Sequence, residues 1–296
     1  MTTTPATPEA AARPIGVFDS GVGGLTVLHE LLVHLPGEDF VYLADTARFP
    51  FGPRSREELE GFAMEIAEEL LRRRVKLLVV ACNSLAAAAF PALVARMMQT
   101  TLGVDVVGVV RPGAVHAVAA SHNGKVGLLA TEATVRSGAY AEAIAAADPH
   151  VQLTAVACPD LAQIIENGFP FDERLMETVR GYVVPLREAD VDTVILGCTH
   201  YPLIRPMLQR LLGPSVSIVT SGEPLARQVD HVLGARGLAN PRGTAADGLP
   251  VEGTYSFLCT GADVDGFRDL GTRFLQLPLG AVERVALTPI APGVAA

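Results

Sequence analysis

Nine short apolar runs of strand length recur along the chain: Ile15–Phe18, Phe40–Ala44, Val75–Ala81, Val104–Val110, Val126–Ala130, Val151–Ala157, Thr193–Leu196, Val216–Val219 and Tyr255–Leu258. They are rich in Val, Ile and Leu and mostly lack polar alternation. A strand with one wet face would alternate, so these runs read as parallel strands covered on both faces. Amphipathic stretches lie between them. The clearest opens at Ser55 with Glu58 three residues on, the pattern of a capping box. Leu59, Phe62, Ala63, Ile66, Ala67 and Leu70 then share one helical face. Strand and helix in alternation predict an α/β chain with mostly parallel sheets.

A weak internal repeat refines this expectation. Gly16-Val17-Phe18-Asp19-Ser20 is a strand entering a polar turn, and a later strand ends in Val79-Val80-Ala81-Cys82-Asn83-Ser84. In the second half, Gly127-Leu128-Leu129-Ala130-Thr131 and Val194-Ile195-Leu196-Gly197-Cys198-Thr199-His200 repeat the pair. With 296 residues available, two domains are expected, each large enough for its own core. The expected organisation is two similar open α/β domains related by pseudo-twofold symmetry, with the active site in the cleft between them. Residues 14–110 plus 225–280 form the first and 111–224 the second. One strand and one helix over Tyr255–Leu275 cannot bury a core alone, so the chain is expected to return there to the first domain. Residues 1–13 and 281–296 are expected to be tails, the first disordered, and Gly234–Gly253 a long surface loop.

A net charge of −9 argues against a nucleic-acid or anionic-membrane partner, which needs surplus Lys and Arg. No run approaches ~18 apolar residues, the length of a membrane span, and the N-terminus lacks the pattern of a secretory signal. A cytoplasmic location is therefore expected, with the four cysteines (Cys82, Cys158, Cys198 and Cys259) reduced. None forms a C-x-x-C pair and no His stands at zinc-ligand spacing, so no metal site is expected.

In open parallel sheets, ligands bind beyond the carboxyl ends of the strands. Cys82 and Cys198 each follow a strong strand directly, near a helix start and ahead of small polar residues. A helix N-terminus favours a thiolate, which makes both cysteines candidate site residues. Cys158 is followed by Pro159 and no polar cluster, so it reads as structural, as does Cys259. Asp19, Ser20, Asn83, Ser84, Thr131, Thr134, Thr199 and His200 fall at the same edge. Any one of these hydroxyls could be a helix cap, but together they outline a site.

The turn Gly21-Val22-Gly23-Gly24 partly matches a dinucleotide fingerprint, and Asp45 follows near the ribose-binding spacing. Thr26 occupies the third glycine position, however, and Asp19 would oppose a pyrophosphate, leaving a turn fit for an anion as small as a carboxylate. The only lysines, Lys76 and Lys125, lie at the amino-terminal edges of strands, so no Schiff-base lysine is placed for pyridoxal phosphate. No phosphate-binding loop of the G-x-x-x-x-G-K-[ST] type occurs. A site with no cofactor and two thiols from separate halves suits one reaction class. A proton is taken from one face of a carbon and another is returned to the opposite face, which is racemisation or epimerisation.

Ile15–Leu25, Ala81-Cys82-Asn83-Ser84 and Leu196-Gly197-Cys198-Thr199-His200-Tyr201-Pro202-Leu203 resemble the glutamate racemases of the aspartate/glutamate racemase superfamily. The resemblance runs from about Pro14 to Leu275. It implies pyridoxal-independent interconversion of L- and D-glutamate, which supplies D-glutamate for the peptidoglycan of a bacterial cell wall. By position, Cys82 would exchange the proton of the D-enantiomer and Cys198 that of the L-enantiomer, assisted by Asp19, His200 and Glu166. Substrate contacts implied are Asp19, Ser20, Phe51, Gly52, Asn83, Ser84, Thr131, Thr199 and His200. A homodimer is also implied. Two positions depart from the family pattern: Phe51 stands where Tyr is usual, and Ser84 where Thr is usual. The alternatives are aspartate racemase or another amino-acid racemase of the superfamily, an NAD-binding protein built on the glycine-rich turn, and a non-catalytic protein that kept the fold.

Overall fold

Ten strands assemble into two separate sheets in the computed structural model, which describes residues 7–100, 103–168, 173–242 and 251–290. They are β1 (Ile15–Asp19), β2 (Phe40–Ala44), β3 (Leu77–Val80), β4 (Asp105–Gly108), β5 (Lys125–Ala130), β6 (Gln152–Ala157), β7 (Thr193–Gly197), β8 (Ser217–Val219), β9 (Tyr255–Cys259) and β10 (Val282–Arg284). The first sheet has the order β10-β9-β2-β1-β3-β4 and the second β6-β5-β7-β8. Every pairing is parallel. The repeat seen in the sequence is therefore a repeat of topology, since β2-β1-β3-β4 and β6-β5-β7-β8 have the same order.

Burial is fullest in the inner strands, although β9 leaves Tyr255 and Ser256 exposed. Every residue of β1, β2, β3 and β7 is buried, as unbroken apolar runs require. The edge strands differ. β4 is mostly half-buried, and β6 leaves Gln152 and Ala155 exposed, so Val104–Val110 and Val151–Ala157 are not covered on both faces as their composition predicts. The helix Arg56–Arg72 has the expected capping box, with Ser55 and Glu58 bonded reciprocally, and buries Leu59, Ala63, Ile66 and Leu70.

Three segments depart from the sequence reading. The segment expected as an N-terminal disordered tail is helical over Pro8–Ala11, and the buried Lys76 ammonium donates to the Ala11 carbonyl and to Glu38. The segment expected as a C-terminal tail contributes β10, whose Glu283 accepts two bonds from Arg73 at 2.7 and 2.9 Å. At the expected loop, the helix Gly222–Arg236 continues past Gly234; residues 243–250 of that loop lie outside the described residues, as do 1–6 and 291–296. No described helix is long and apolar enough to cross a membrane.

Both sheets show a reversal of strand order at their centre, between β1 and β3 and between β5 and β7. At such a reversal the connections leave to opposite faces and open a crevice at the carboxyl ends of the strands. The two crevices face each other. Ser84, after β3, and Thr131, after β5, share a hydrogen bond of 2.9 Å. Thr199, after β7, donates to Asp19 at the end of β1 at 3.2 Å.

Candidate active site

Between the crevices lies a cavity of about 140 Å³. Cys82 and Cys198 are both on its wall, 5% and 6% exposed, one from each sheet. Ser20, Phe51, Gly52, Asn83, Ser84, Thr131, Thr199 and His200 line it as well. Of the residues singled out in the sequence, Asp19, Glu166 and Thr134 stand behind this lining. Thr134 bonds Thr131 at 3.0 Å. Asp19, fully buried, accepts from Gly21 N–H at 3.0 Å, from the Ser20 hydroxyl at 3.3 Å and from Thr199. Glu166 ends the helix Leu161–Glu166 and pairs with His200 Nε2 at 2.7 Å.

Cys82 is the N-cap of the helix Asn83–Ala88, as expected from its place after a strand. Its sulfur lies 3.9 Å from Ser20 Oγ. Burial, with the charges of Asp19 and Cys198 added, pushes its thiol well above the ordinary range. Cys198 differs locally, because the chain passes through Thr199 and His200 into a 3₁₀ turn over Tyr201–Ile204 before the next α-helix. Its sulfur lies 3.8 Å from His200 Nδ1.

His200 is 2% exposed, with Phe49 and Phe274 against its ring at 5.6 and 5.4 Å between centroids. Burial alone would pull its pKa down, but the bonds to Cys198 and Glu166 outweigh that and raise it to about 10. A His raised in the folded state contributes stability that is full below its unfolded value of 6.5 and is lost as pH rises toward about 10. Glu166→Gln removes one of the two raising partners and narrows that window. The wild-type Tm should therefore fall more between pH 6.5 and 10 than that of Glu166→Gln, as read by thermal denaturation; equal slopes would contradict the assignment.

The glycine-rich turn is spent on the protein itself. Gly21 N–H bonds Asp19 and the Gly21 carbonyl accepts from Tyr42 at 2.7 Å. A Cβ on Gly23 would strike Thr199 and His200, and one on Gly24 would strike Asp19 and Tyr42. The turn serves close packing, which leaves no cradle for a dinucleotide. Phe51, at a departure from the family pattern, is anchored on Phe62 at 5.3 Å, and the Arg48 guanidinium lies 4.0 Å over the Phe62 ring.

Two residues escape the sequence reading. Cys158, taken there as structural, is on the cavity wall, and burial raises its thiol to about 12. Its signal was the one that marked Cys82 and Cys198, a place directly after a strand; Pro159 obscured it. Tyr140, from the helix Ala139–Ala147, donates to Asn83 Oδ1 at 2.7 Å. No local pattern marks it, because the partner is far away in the sequence. Among the described residues no cluster of His, Cys, Asp or Glu is arranged to hold a metal ion.

Two buried thiols from topologically equivalent strands, ringed by hydroxyl and amide groups, can address opposite faces of one small carbon acid. Known proteins of similar sequence and fold are glutamate racemases. A curated glutamate racemase from Geobacter metallireducens is 43% identical over 93% of this chain and 97% of its own. Among solved structures, a glutamate racemase isoform from Bacillus anthracis superposes with a TM-score of 0.85 at 36% identity, covering 94% of this chain and 99% of that one. A glutamate racemase from Francisella tularensis in complex with D-glutamate gives 0.82 at 31% identity, covering 93% and 98%. The family model for Asp/Glu/Hydantoin racemase matches residues 25–229, and with both thiols and the two-sheet frame in place the chain belongs to that family.

Proposed function

We propose that this chain is a glutamate racemase, an isomerase interconverting L- and D-glutamate by a two-base mechanism without pyridoxal phosphate. The observation that carries the reading is the pair of buried thiols, Cys82 and Cys198, on one cavity of about 140 Å³. Relatives about 40% identical are named glutamate racemases, and the Francisella tularensis relative holds D-glutamate.

In this reading glutamate binds with its Cα between the two sulfurs. Asn83 and the bonded Ser84–Thr131 hydroxyl pair offer donors to its carboxylates, with further contacts at Ser20 and Thr199, whose hydroxyl protons go to Asp19, and backbone contacts at Phe51 and Gly52. Starting from L-glutamate, Cys198 removes the α-proton and Cys82 supplies a proton to the opposite face; from D-glutamate the roles exchange. His200, held by Glu166 at 2.7 Å, stands 3.8 Å from Cys198 Sγ, where it can receive or return a proton. Asp19 is positioned on the other side, through Ser20, toward Cys82. Fixed donors stabilise the charge that develops on the substrate, and enclosure strengthens them.

The product serves peptidoglycan synthesis in a bacterial cytoplasm, and the working form is a homodimer. Residues 14–110 plus 225–280, with β10 added to their sheet, and 111–224 are the two α/β units that close on the substrate. The test is circular dichroism of pure L-glutamate, D-glutamate, L-aspartate and D-aspartate with the purified protein and no added cofactor. Both glutamate enantiomers should decay to zero ellipticity while aspartate stays. Decay of aspartate alone would assign the chain to aspartate, and no decay of any would refute racemisation.

A further inference from the structure

Tyr140 reaches Asn83 from the opposite side of the cleft. Its helix follows β5 in the second half, whereas Asn83 directly follows Cys82 in the first. The phenol is 1% exposed and Asn83 4%. The phenol donates to Asn83 Oδ1 at 2.7 Å and has Ser221 Oγ at 3.3 Å. Gly113 leaves the room for this group, since a Cβ there would come within 2.8 Å of Ser221 Oγ.

An asparagine amide can present either its oxygen or its nitrogen to a ligand, and the two have opposite electrostatic sense. The bond from Tyr140 occupies the oxygen. Burial holds the phenol protonated, so it remains a donor. With its proton given to Asn83, the phenol oxygen is left to accept from the Ser221 hydroxyl. Asn83 Nδ2 has no hydrogen-bond partner among the described residues and is not sealed from the cavities that Asn83 lines. We infer that Tyr140 is a positioning residue that locks the Asn83 amide with its NH₂ toward the substrate, a ready donor for carboxylate oxygen as charge develops there. The inference rests on the racemase reading. It adds that a side chain outside the cavity, supplied by the other half of the protein, sets the sense of a contact beside Cys82. A donor fixed before reaction costs no reorganisation when the charge appears.

Two variants test it, each measured for kcat and KM in both directions with glutamate. Tyr140→Phe should lower kcat about tenfold and leave KM within about threefold, with far-UV circular dichroism unchanged. In an Asn83→Ala background the same change should add almost nothing, because the two residues act as one unit. Asn83→Asp, nearly isosteric, turns the donor into an acceptor and should cost more than Tyr140→Phe, mainly in KM. A wild-type kcat in Tyr140→Phe, full additivity in the double variant, or an Asn83→Asp enzyme as active as wild type would each overturn the inference. If Tyr140→Phe does not fold, the Asn83→Asp result decides alone. A wild-type protein that does not racemise glutamate would instead refute the racemase reading.

Discussion

Replacing Cys82 or Cys198 by Ser should reduce racemisation about a thousandfold or more in each case, with the far-UV spectrum unchanged. General acid–base groups contribute about 10²–10⁴-fold, and a serine hydroxyl is far too weak an acid to form the needed anion near neutral pH. The fold should survive, because Cys to Ser is a small change and the side-chain contacts of the two sulfurs are long, 3.9 Å from Cys82 to Ser20 and 3.8 Å from Cys198 to His200. The two variants should also fail differently. With Cys198→Ser, Cys82 can still remove the proton of D-glutamate and return one to the same face, so deuterium enters D-glutamate without inversion and only as fast as the enclosed Cys82 thiol exchanges with solvent. Cys82→Ser should show the mirror behaviour with L-glutamate. Turnover like that of wild type in either variant would refute the two-base assignment.

Gly23→Ala should cost about a hundredfold in kcat while leaving a folded protein. A Cβ at this position would run into His200 Nδ1 and Thr199 Oγ1, closer than real Cβ atoms approach such atoms. Neither neighbour can swing away cheaply. Thr199 donates to Asp19, its carbonyl accepts from Thr26 at 3.0 Å, and the His200 ring is wedged between Phe49 and Phe274. The strand end bearing Cys198 would have to move off the first half of the molecule, and a misplacement of about 1 Å can cost about 10²-fold. Loss of activity should come with a lowered apparent pKa of His200, by nuclear magnetic resonance titration, as its contact with Cys198 loosens. Unchanged kcat would mean that the two halves are not held at the spacing seen here.

The frame was readable because parallel strands leave unbroken Val, Ile and Leu runs, and the nine runs became β1 to β9, although β4 and β6 are covered less fully than such runs imply. β10 was not readable: Val282-Glu283-Arg284 has one apolar residue in three and gains its place only by pairing with the free edge of β9. The helical turn at Pro8–Ala11 has a local signal, Thr7 capping it ahead of Pro8, but what ties it to the body of the protein is a distant ammonium, Lys76, donating to the Ala11 carbonyl. At the site, Cys82 and Cys198 were visible because a thiol at the end of a strand, followed by polar residues, has no packing reason to be there. Asp19 and Glu166 belong to the site through Thr199 and His200 rather than through the cavity wall, a distinction that needs three-dimensional contacts. Tyr140 lies 57 positions from Asn83 on an alanine-rich helix, where one buried aromatic looks like core. The glycines at 21, 23 and 24 drew attention as an anion cradle, whereas Gly21 and Gly23 serve close approach to Glu166, Thr199 and His200 of the other half, and Gly24 close packing on Asp19 and Tyr42 of its own.

Two monoprotic bases acting from opposite faces leave a signature in the first turnover in deuterium oxide. Each thiol carries a single exchangeable hydrogen. A proton taken by Cys198 from L-glutamate stays on that sulfur, and the hydrogen delivered by Cys82 comes from solvent. Proton nuclear magnetic resonance at early conversion should find D-glutamate fully deuterated at Cα, while the remaining L-glutamate keeps its α-proton; the reverse reaction should behave the same way. D-glutamate that retains the substrate's proton, or equal early deuteration of both enantiomers, would show a single base serving both faces and would contradict the account.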